Sequence, residues 1–316
     1  GRRSAEMMLG AVLSGLSACG CHVTSIGPAM TPTVGLLVRE QESDGGIQIS
    51  ASHNPAEYNG LKFFQKNGSV LGPEQGRAVL DRFERREFRW VPYDQLGLIS
   101  REEGDQEFHA AQVLGLVNPS RVIQSRFKVV VDAGHGAGGR LSAWLLRQLG
   151  CELRVLGGDQ DGLYDHTPEP TKEHLRELTA IIPAIGADVG FALDPDADRL
   201  AIIDETGRYI GEELTLALCV QHRLTQQSGP VVMNLSTSRV AEEVARSFGC
   251  EVIRTPVGEI HVVEGMRSTH AVIGGEGNGG VIDPRIGWVR DSLVGMALVL
   301  DLMANTGKKL SNLVDD

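Results

Sequence analysis

Apolar residues at Met7, Met8, Val12, Leu13 and Leu16 fall on one helical face and predict a helix from Ser4 to about Ala18, ended by Gly20. His22 to Ile26 and Gly46 to Ile49 read as strands around a helix, Pro32 to Arg39, that starts at its proline. Strand, helix, strand in that order predicts a parallel sheet with right-handed crossovers. A strand at Leu61 to Phe64 and a helix at Pro73 to Arg85 follow, and the polar stretch from Ile99 to Gln106 reads as a linker into a helix, Phe108 to Val117. A second unit opens at Lys128, with strands at Val129 to Asp132, Glu152 to Leu156, Val189 to Leu193 and Leu200 to Ile203, and helices at Leu141 to Leu149, Lys172 to Pro183 and Glu212 to Leu224. A third has strands at Val231 to Asn234, Glu251 to Arg254 and Ala271 to Ile273, and helices at Ser238 to Phe248, Glu259 to Met266 and Val289 to Met303.

The three units repeat one plan, so the expected fold is α/β: three similar domains with mixed, mostly parallel sheets around a central cleft, divided as 1–105, 106–226 and 227–316. Each unit places its unusual residues just past the carboxyl end of a strand: Ser52-His53, Asp194-Pro-Asp196 and Glu276-Gly-Asn278. Open α/β sheets collect ligands at that edge, and three such edges facing one another make a single composite site.

Composition narrows the function. At 316 residues, with 41% hydrophobic and 22% charged residues, the chain fits a multidomain globular protein, and its 39 glycines suit many tight strand-to-helix turns. No apolar run approaches the roughly 20 residues that span a bilayer, and no secretory leader is expected from the amphipathic opening, so neither a membrane nor export is anticipated. Five cysteines without zinc-like spacing read as buried, reduced thiols of a cytosolic protein. A net charge of −11 argues against a nucleic-acid partner, yet leaves room for a small phosphorylated ligand in a local cationic pocket.

The loop Ser50-Ala-Ser-His-Asn-Pro55 puts a hydroxyl beside an imidazole, and Pro55 keeps the loop from turning helical. A serine oxygen attacks poorly unless a neighbour takes its proton or a metal assists, and His53 and Lys62 are the local candidates. In Asp194-Pro-Asp-Ala-Asp-Arg199, three carboxylates at alternate positions can converge on Mg²⁺, a hard cation that favours oxygen ligands and phosphate. Arg199 could grip a phosphate or fix a carboxylate with its planar fork. An EF-hand reading starting at Asp194 would end on Glu205 but has Arg199 where that loop needs glycine. Gly134-His-Gly-Ala-Gly-Gly139, with Asp159 and Asp161 downstream, matches the dinucleotide fingerprint but is read as a strand-to-helix turn. Gly274-Gly-Glu-Gly-Asn-Gly-Gly280 offers a carboxylate and an amide to paired sugar hydroxyls on backbone that a ligand can approach closely.

Together these loops resemble the α-D-phosphohexomutase family, which includes phosphoglucomutase, phosphomannomutase and phosphoglucosamine mutase. The resemblance rests on Ser50-Ala-Ser-His-Asn-Pro55 with Asn59-Gly-Leu-Lys62, on Asp194-Pro-Asp-Ala-Asp-Arg199 with Asp204-Glu-Thr-Gly207, on Thr255-Pro-Val-Gly258 and on Gly275-Glu-Gly-Asn278, in the family's order along nearly the whole chain. It implies an isomerase that interconverts hexose 6- and 1-phosphates through a bisphosphate and a phosphoserine. By the same resemblance Ser52 carries the phosphoryl group and, with Asp194, Asp196 and Asp198, holds Mg²⁺. Lys62 or His53 is then the acid/base, Arg199 steadies charge, Arg2 lies near the phosphoserine with Asn54, and Gly258, Glu276 and Asn278 meet the sugar. The implied partner is a small hexose phosphate, and the native enzyme is expected as a monomer or homodimer.

The chain departs from the family in three places. It lacks the Arg-x-Ser-x-Thr-Glu-Pro loop of a fourth domain and the Gly-Thr-Ser-Gly-x-Arg-Gly opening segment, so it is read as a fragment that binds Mg²⁺ and turns over poorly. Gly280 stands where many members have histidine, which would remove one hydroxyl contact; the glycine form leans toward phosphoglucosamine or phosphomannose substrates over glucose. The rival readings are a haloacid-dehalogenase-like phosphatase, with Asp194 as nucleophile and Asp196 as acid, and a sugar-phosphate or metal-binding protein without turnover.

Overall fold

The computed structural model describes residues 2–102 and 106–316. In chain order its helices and strands are α1 (Ala5–Ala18), β1 (Val23–Ser25), α2 (Thr31–Glu40), β2 (Gly45–Ile49), β3 (Leu61–Gln65), α3 (Pro73–Glu84), β4 (Ile99–Arg101), α4 (Glu107–Leu114), α5 (Pro119–Ser125), β5 (Lys128–Asp132), α6 (Gly139–Gln148) and β6 (Glu152–Leu156). They continue with α7 (Arg176–Ile185), β7 (Val189–Leu193), β8 (Leu200–Asp204), α8 (Glu212–Gln226), β9 (Val231–Asn234), α9 (Val240–Ser247), β10 (Val252–Thr255), α10 (Glu259–Thr269), β11 (Ile273–Glu276), β12 (Gly280–Ile282), α11 (Ser292–Thr306) and α12 (Leu310–Asp315).

The second and third units share one topology. Their sheets run β6-β5-β7-β8 and β10-β9-β11-β12, three parallel strands with an antiparallel fourth at one edge. Three consecutive valines in β5 suit a strand covered on both faces, and β7 and β8 are buried throughout. One apolar core joins these two units. It runs from Val131, Phe191 and Leu200 through Leu216 and Met233 to Leu298, so the two sheets do not move as separate bodies without exposing it. Helix α11 is buried from Ser292 to Met303 and apolar on nearly every side, as suits a helix in the middle of a core; its one charged residue, Asp301, is paired with His222 and Arg121. It begins at Ser292 rather than at the expected Val289 because the Asp291 carboxylate accepts the Leu293 amide at 2.9 Å and caps it.

The first unit departs from the parallel sheet expected of it. β1 pairs in parallel with β4, while β2 and β3 form an antiparallel hairpin, and these are two separate two-stranded sheets. The 11-residue loop from Ser50 to Gly60 is a hairpin connection, too short to carry a crossover helix, so β2 and β3 run antiparallel. A cavity of about 1120 Å³ lies in this unit, lined by α1, α2, β1 and β2 and reaching Arg2, Tyr164 and Asp196. Residues 103–105, which include the expected boundary at 105/106 and part of the expected linker, lie outside the described residues; the linker's first residues form β4. Only Cys219 and Cys250 are buried. Cys19 and Cys151 are half-buried, and Cys21, beyond the end of α1, is exposed, which corrects the expectation that all five lie inside. Among the described residues no helix is long and apolar enough to cross a membrane.

Candidate active site

Two loops from different units meet at a hydrogen bond. The Ser52 hydroxyl donates to Asp194 Oδ2 at 2.7 Å, and the imidazole Nδ1 of His53 lies 3.3 Å from Ser52 Oγ. Ser52 holds φ at 47°, a left-handed conformation that costs a non-glycine residue on the order of 1 kcal/mol and turns the hydroxyl toward the second unit. Arg2 fastens the loop from behind: its guanidinium donates to the carbonyls of Ser52 and Asn54 at 2.7 Å each and to that of Pro55, and stacks 5.5 Å over the Tyr164 ring. Arg2 therefore holds main chain in this structure. Asn54 is exposed and turns back to the Ala51 carbonyl at 2.9 Å.

Asp194, Asp196 and Asp198 form a turn between β7 and β8, with one carboxylate oxygen from each lying within 4.8 Å of the others. Ala197, between them, takes φ at 55°, and Asp194 Oδ1 accepts the amides of Asp198 and Arg199 at 3.1 Å each. The glycine run after β5 explains itself here. A Cβ at Gly136 would come within 2.6 Å of the Pro195 carbonyl, so these glycines let the β5–α6 turn pack against the acidic turn. The downstream Asp161 is bound to His135 at 2.9 Å, and Glu205 bonds Ser311, so neither alternative motif forms its site.

Lys62 reaches across from β3, donating to Asp196 Oδ2 at 2.6 Å and Asp198 Oδ2 at 2.9 Å. Thr31, at the start of α2, donates to Asp196 Oδ2 at 2.6 Å, and its amide reaches the Asp196 carbonyl at 3.0 Å. Burial opposes the Lys62 charge, but Asp196 and Asp198 outweigh it and hold the ammonium above its ordinary range. Burial, then the charges of Asp198 and Asp196, push Asp194 up. Asp196 and Asp198 also lose hydration, yet Lys62 lowers the first and Arg290, then Lys62, the second. Asp196 Oδ1 and Asp198 Oδ1 are buried and lack hydrogen-bond partners. Buried carboxylate oxygens left unpaired are costly, and an oxygen-seeking cation satisfies them, so the donor set fits a hard divalent metal. Arg199 stands beside the turn, its buried Nε 3.9 Å from Asp198 Oδ1 and without a hydrogen-bond partner. Half-burial, with Arg199 next in weight, lowers the His53 pKa below its ordinary value.

The third loop joins through β8. The Leu200 amide donates to the Gly279 carbonyl at 3.1 Å, and Gly279 has φ at 81° with no room for a Cβ, which would lie 2.4 Å from the Leu200 carbonyl. Glu276 is buried and engaged on both oxygens: Oε1 accepts from Asn234 at 2.6 Å and from the Gly258 amide at 3.3 Å, and Oε2 from Arg290 at 2.6 Å. Asn278 is half-buried, 3.4 Å from Glu276 Oε2. Thr31 and Arg290 are the members that sequence reasoning missed. Arg290 had one signal, an arginine just ahead of a largely apolar helix. At Gly280 the stem of Arg290 occupies the space a side chain would take.

A serine loop, an acidic turn and a glycine-rich glutamate loop on three successive α/β units define the phosphohexomutase class. The chain belongs to the phosphoglucomutase/phosphomannomutase family: residues 1–90, 108–207 and 212–316 match that family's alpha/beta/alpha domains I, II and III. It is 36% identical over 317 residues to a Thermococcus kodakarensis protein named "Phosphoglucomutase/phosphomannomutase", covering 100% of this chain and 69% of that one. It is 36% identical over 312 residues to a Methanopyrus kandleri protein named "Probable phosphoglucosamine mutase", covering 98% of this chain and 68% of that one. A solved phosphoglucomutase/phosphomannomutase family protein from Burkholderia thailandensis superposes with a TM-score of 0.88 at 28% identity, over 100% of this chain and 69% of that chain.

Proposed function

We propose that this chain moves a phosphoryl group between Ser52 and a hexose phosphate, interconverting the 6- and 1-phosphates through a bisphosphate. The observation that carries this reading is the 2.7 Å contact between Ser52 Oγ and Asp194, residues 142 apart in sequence, at the edge of a buried carboxylate trio with orphaned oxygens. A sugar hydroxyl attacks the phosphorus of phosphorylated Ser52 and gives its proton to a base, while the Oγ–P bond breaks and Ser52 Oγ takes up a proton to leave as a hydroxyl. The bisphosphate turns, and its other phosphate returns to Ser52. Ser52, Asp194, Asp196 and Asp198 would hold Mg²⁺, whose chemistry here is neutralising charge on the phosphoryl oxygens.

His53 is the better acid/base of the two candidates. Burial favours the neutral form of its imidazole, 3.3 Å from Ser52 Oγ, whereas two carboxylates favour the charged form of Lys62. Lys62 and Arg199 then balance charge. Arg2 orders the serine loop beside Asn54, and Gly258, Glu276 and Asn278 meet the sugar hydroxyls. The relatives' names lean toward phosphoglucosamine, while one names phosphoglucose and phosphomannose together. We read the chain as three units, 1–105, 106–226 and 227–316, of a cytosolic monomer or homodimer with no nucleic-acid or membrane partner; limited proteolysis, which cuts first between units, tests that division. The function is tested by turnover of glucosamine, mannose and glucose phosphates side by side, with glucose 1,6-bisphosphate as primer. Interconversion of at least one supports it, and hydrolysis to free sugar alone refutes it. The phosphatase reading fares worse, since it gives no role to the Ser52 loop, whose hydroxyl meets Asp194 at 2.7 Å, or to the Glu276 loop.

A further inference from the structure

We infer that Arg290 sets hydroxyl discrimination in this chain and that it does so from the space a side chain at position 280 would otherwise fill. The inference rests on the sugar-phosphate reading above and adds a specificity-determining residue to it. A Cβ at Gly280 would lie 2.2 Å from Arg290 Cδ and 2.8 Å from its Cγ, both in the middle of the stem, so a side chain at 280 and this placement of Arg290 exclude each other. From that position the guanidinium donates through one terminal nitrogen to Glu276 Oε2 at 2.6 Å and through the other to Asp198 Oδ2 at 2.8 Å. One planar fork thus ties the carboxylate of the sugar loop to the carboxylate trio, a span a lysine point charge does not reproduce.

The backbone under Arg290 is pinned on both sides. Its amide donates to Glu259 Oε1 at 2.9 Å, the next amide, of Asp291, reaches the Val281 carbonyl at 2.8 Å, and the Asp291 carboxylate lies 2.6 Å from His109 Nε2. Arg290 is 7% exposed, so its orientation is set before any ligand arrives. Its Nε, 3.4 Å from Glu259 Oε2, has no aligned acceptor. Glu276 accepts and Arg290 donates side by side, the complement of two vicinal hydroxyls on a sugar ring; Asn234 holds Oε1, and Oε2 takes its aim from the arginine.

The test uses the intact protein and direct calorimetric binding, which needs no turnover. Wild type, Arg290→Met, Arg290→Lys, Gly280→Ala and the Arg290→Met/Gly280→Ala double variant are titrated with a hexose 6-phosphate, with its 3-deoxy and 4-deoxy analogues, and separately with Mg²⁺. Wild type should prefer the parent sugar by about tenfold or more, the usual cost of leaving a site's polar group unpaired. Arg290→Met should lose that preference while its Mg²⁺ affinity holds or rises, because removing a cation from Asp198 does not weaken metal binding. Arg290→Lys should recover only part of the preference. Gly280→Ala should behave like Arg290→Met, and the double variant no worse than either. Retained preference in Arg290→Met, sugar and Mg²⁺ affinity falling together, or effects at 280 and 290 that multiply would each overturn the assignment. A wild type that binds hexose phosphate without interconverting it refutes the mutase reading and leaves this assignment standing.

Discussion

Asp194, Asp196 and Asp198 are 0%, 2% and 0% exposed, on a turn between two wholly buried strands, whereas the loop facing them is exposed from Asn54 to Tyr58 and fastened chiefly by Arg2. Both loops place a non-glycine residue in the left-handed region at their tips, Ala197 and Ser52. Their supports differ. The acidic turn is built into the core through main-chain bonds from Asp198, Arg199 and Thr31, so its carboxylates are fixed before any ligand binds. The serine loop rests on side-chain bonds that can be released. A site that must hold a cation still and yet hand a phosphoryl group to a sugar has reason to make one wall rigid and the other adjustable.

The contrast can be broken at its most sensitive point. Ser52→Ala removes the oxygen that carries the phosphoryl group and should lower kcat by about 10⁴-fold, the scale of losing a nucleophile, with little change in Tm. Asp198→Asn strikes the rigid wall. Weaker charge neutralisation should cost roughly 10²–10³ in kcat, a few kcal/mol of transition-state stabilisation, and raise the Mg²⁺ concentration needed for half-maximal rate. Kinetics across a metal titration reads both. Arg2→Ala strikes the adjustable wall. Losing charged hydrogen bonds to the loop carbonyls, worth about 1.5–3 kcal/mol each at most, should lower kcat about tenfold and speed amide exchange at Ser50 to Tyr58, while exchange at 194–198 stays slow.

The smallest effect concerns Glu212, at the start of α8, whose pKa burial pushes up to about 7, with Arg199 partly opposing. Its folded pKa lies above its unfolded one, so it should cost stability increasingly as pH rises from about 4.5 to 7 and by a constant amount above that. Glu212→Gln should therefore raise Tm by a few degrees at pH 8 and leave it unchanged at pH 4.5. Thermal melts at the two pH values measure it.

Much of this site was legible because its chemistry lies in short runs. Asp194-Pro-Asp-Ala-Asp gathers three carboxylates within five residues, and Ser52-His53 places nucleophile and imidazole side by side. Strands β5, β7, β8 and β9 were equally plain, since burial on both faces makes them apolar runs that no other element explains. What escaped notice depends on distance along the chain. Thr31 and Arg290 join the site across 165 and 92 residues; no local pattern marks Thr31, and only its place ahead of α11 marks Arg290. The antiparallel β12 was hidden because Gly280-Val-Ile is too short to show alternation, and α5 and α12, at 7 and 6 residues, are too short for a helical stripe. The first unit's separate strand pairs were missed because the order strand, helix, strand does not reveal which strands pair.

The central claim is that Ser52 carries the phosphoryl group the acidic turn steadies. Intact-mass and peptide mapping of the protein after exposure to ³²P-labelled glucose 1,6-bisphosphate, with and without Mg²⁺, tests it directly. One phosphoryl group on the Ser52 peptide, stable to hydroxylamine and chased off by unlabelled hexose 6-phosphate in the presence of Mg²⁺, is the predicted result. Label on the Asp194 peptide that hydroxylamine releases, or label on Ser52 that no hexose phosphate removes, would contradict it.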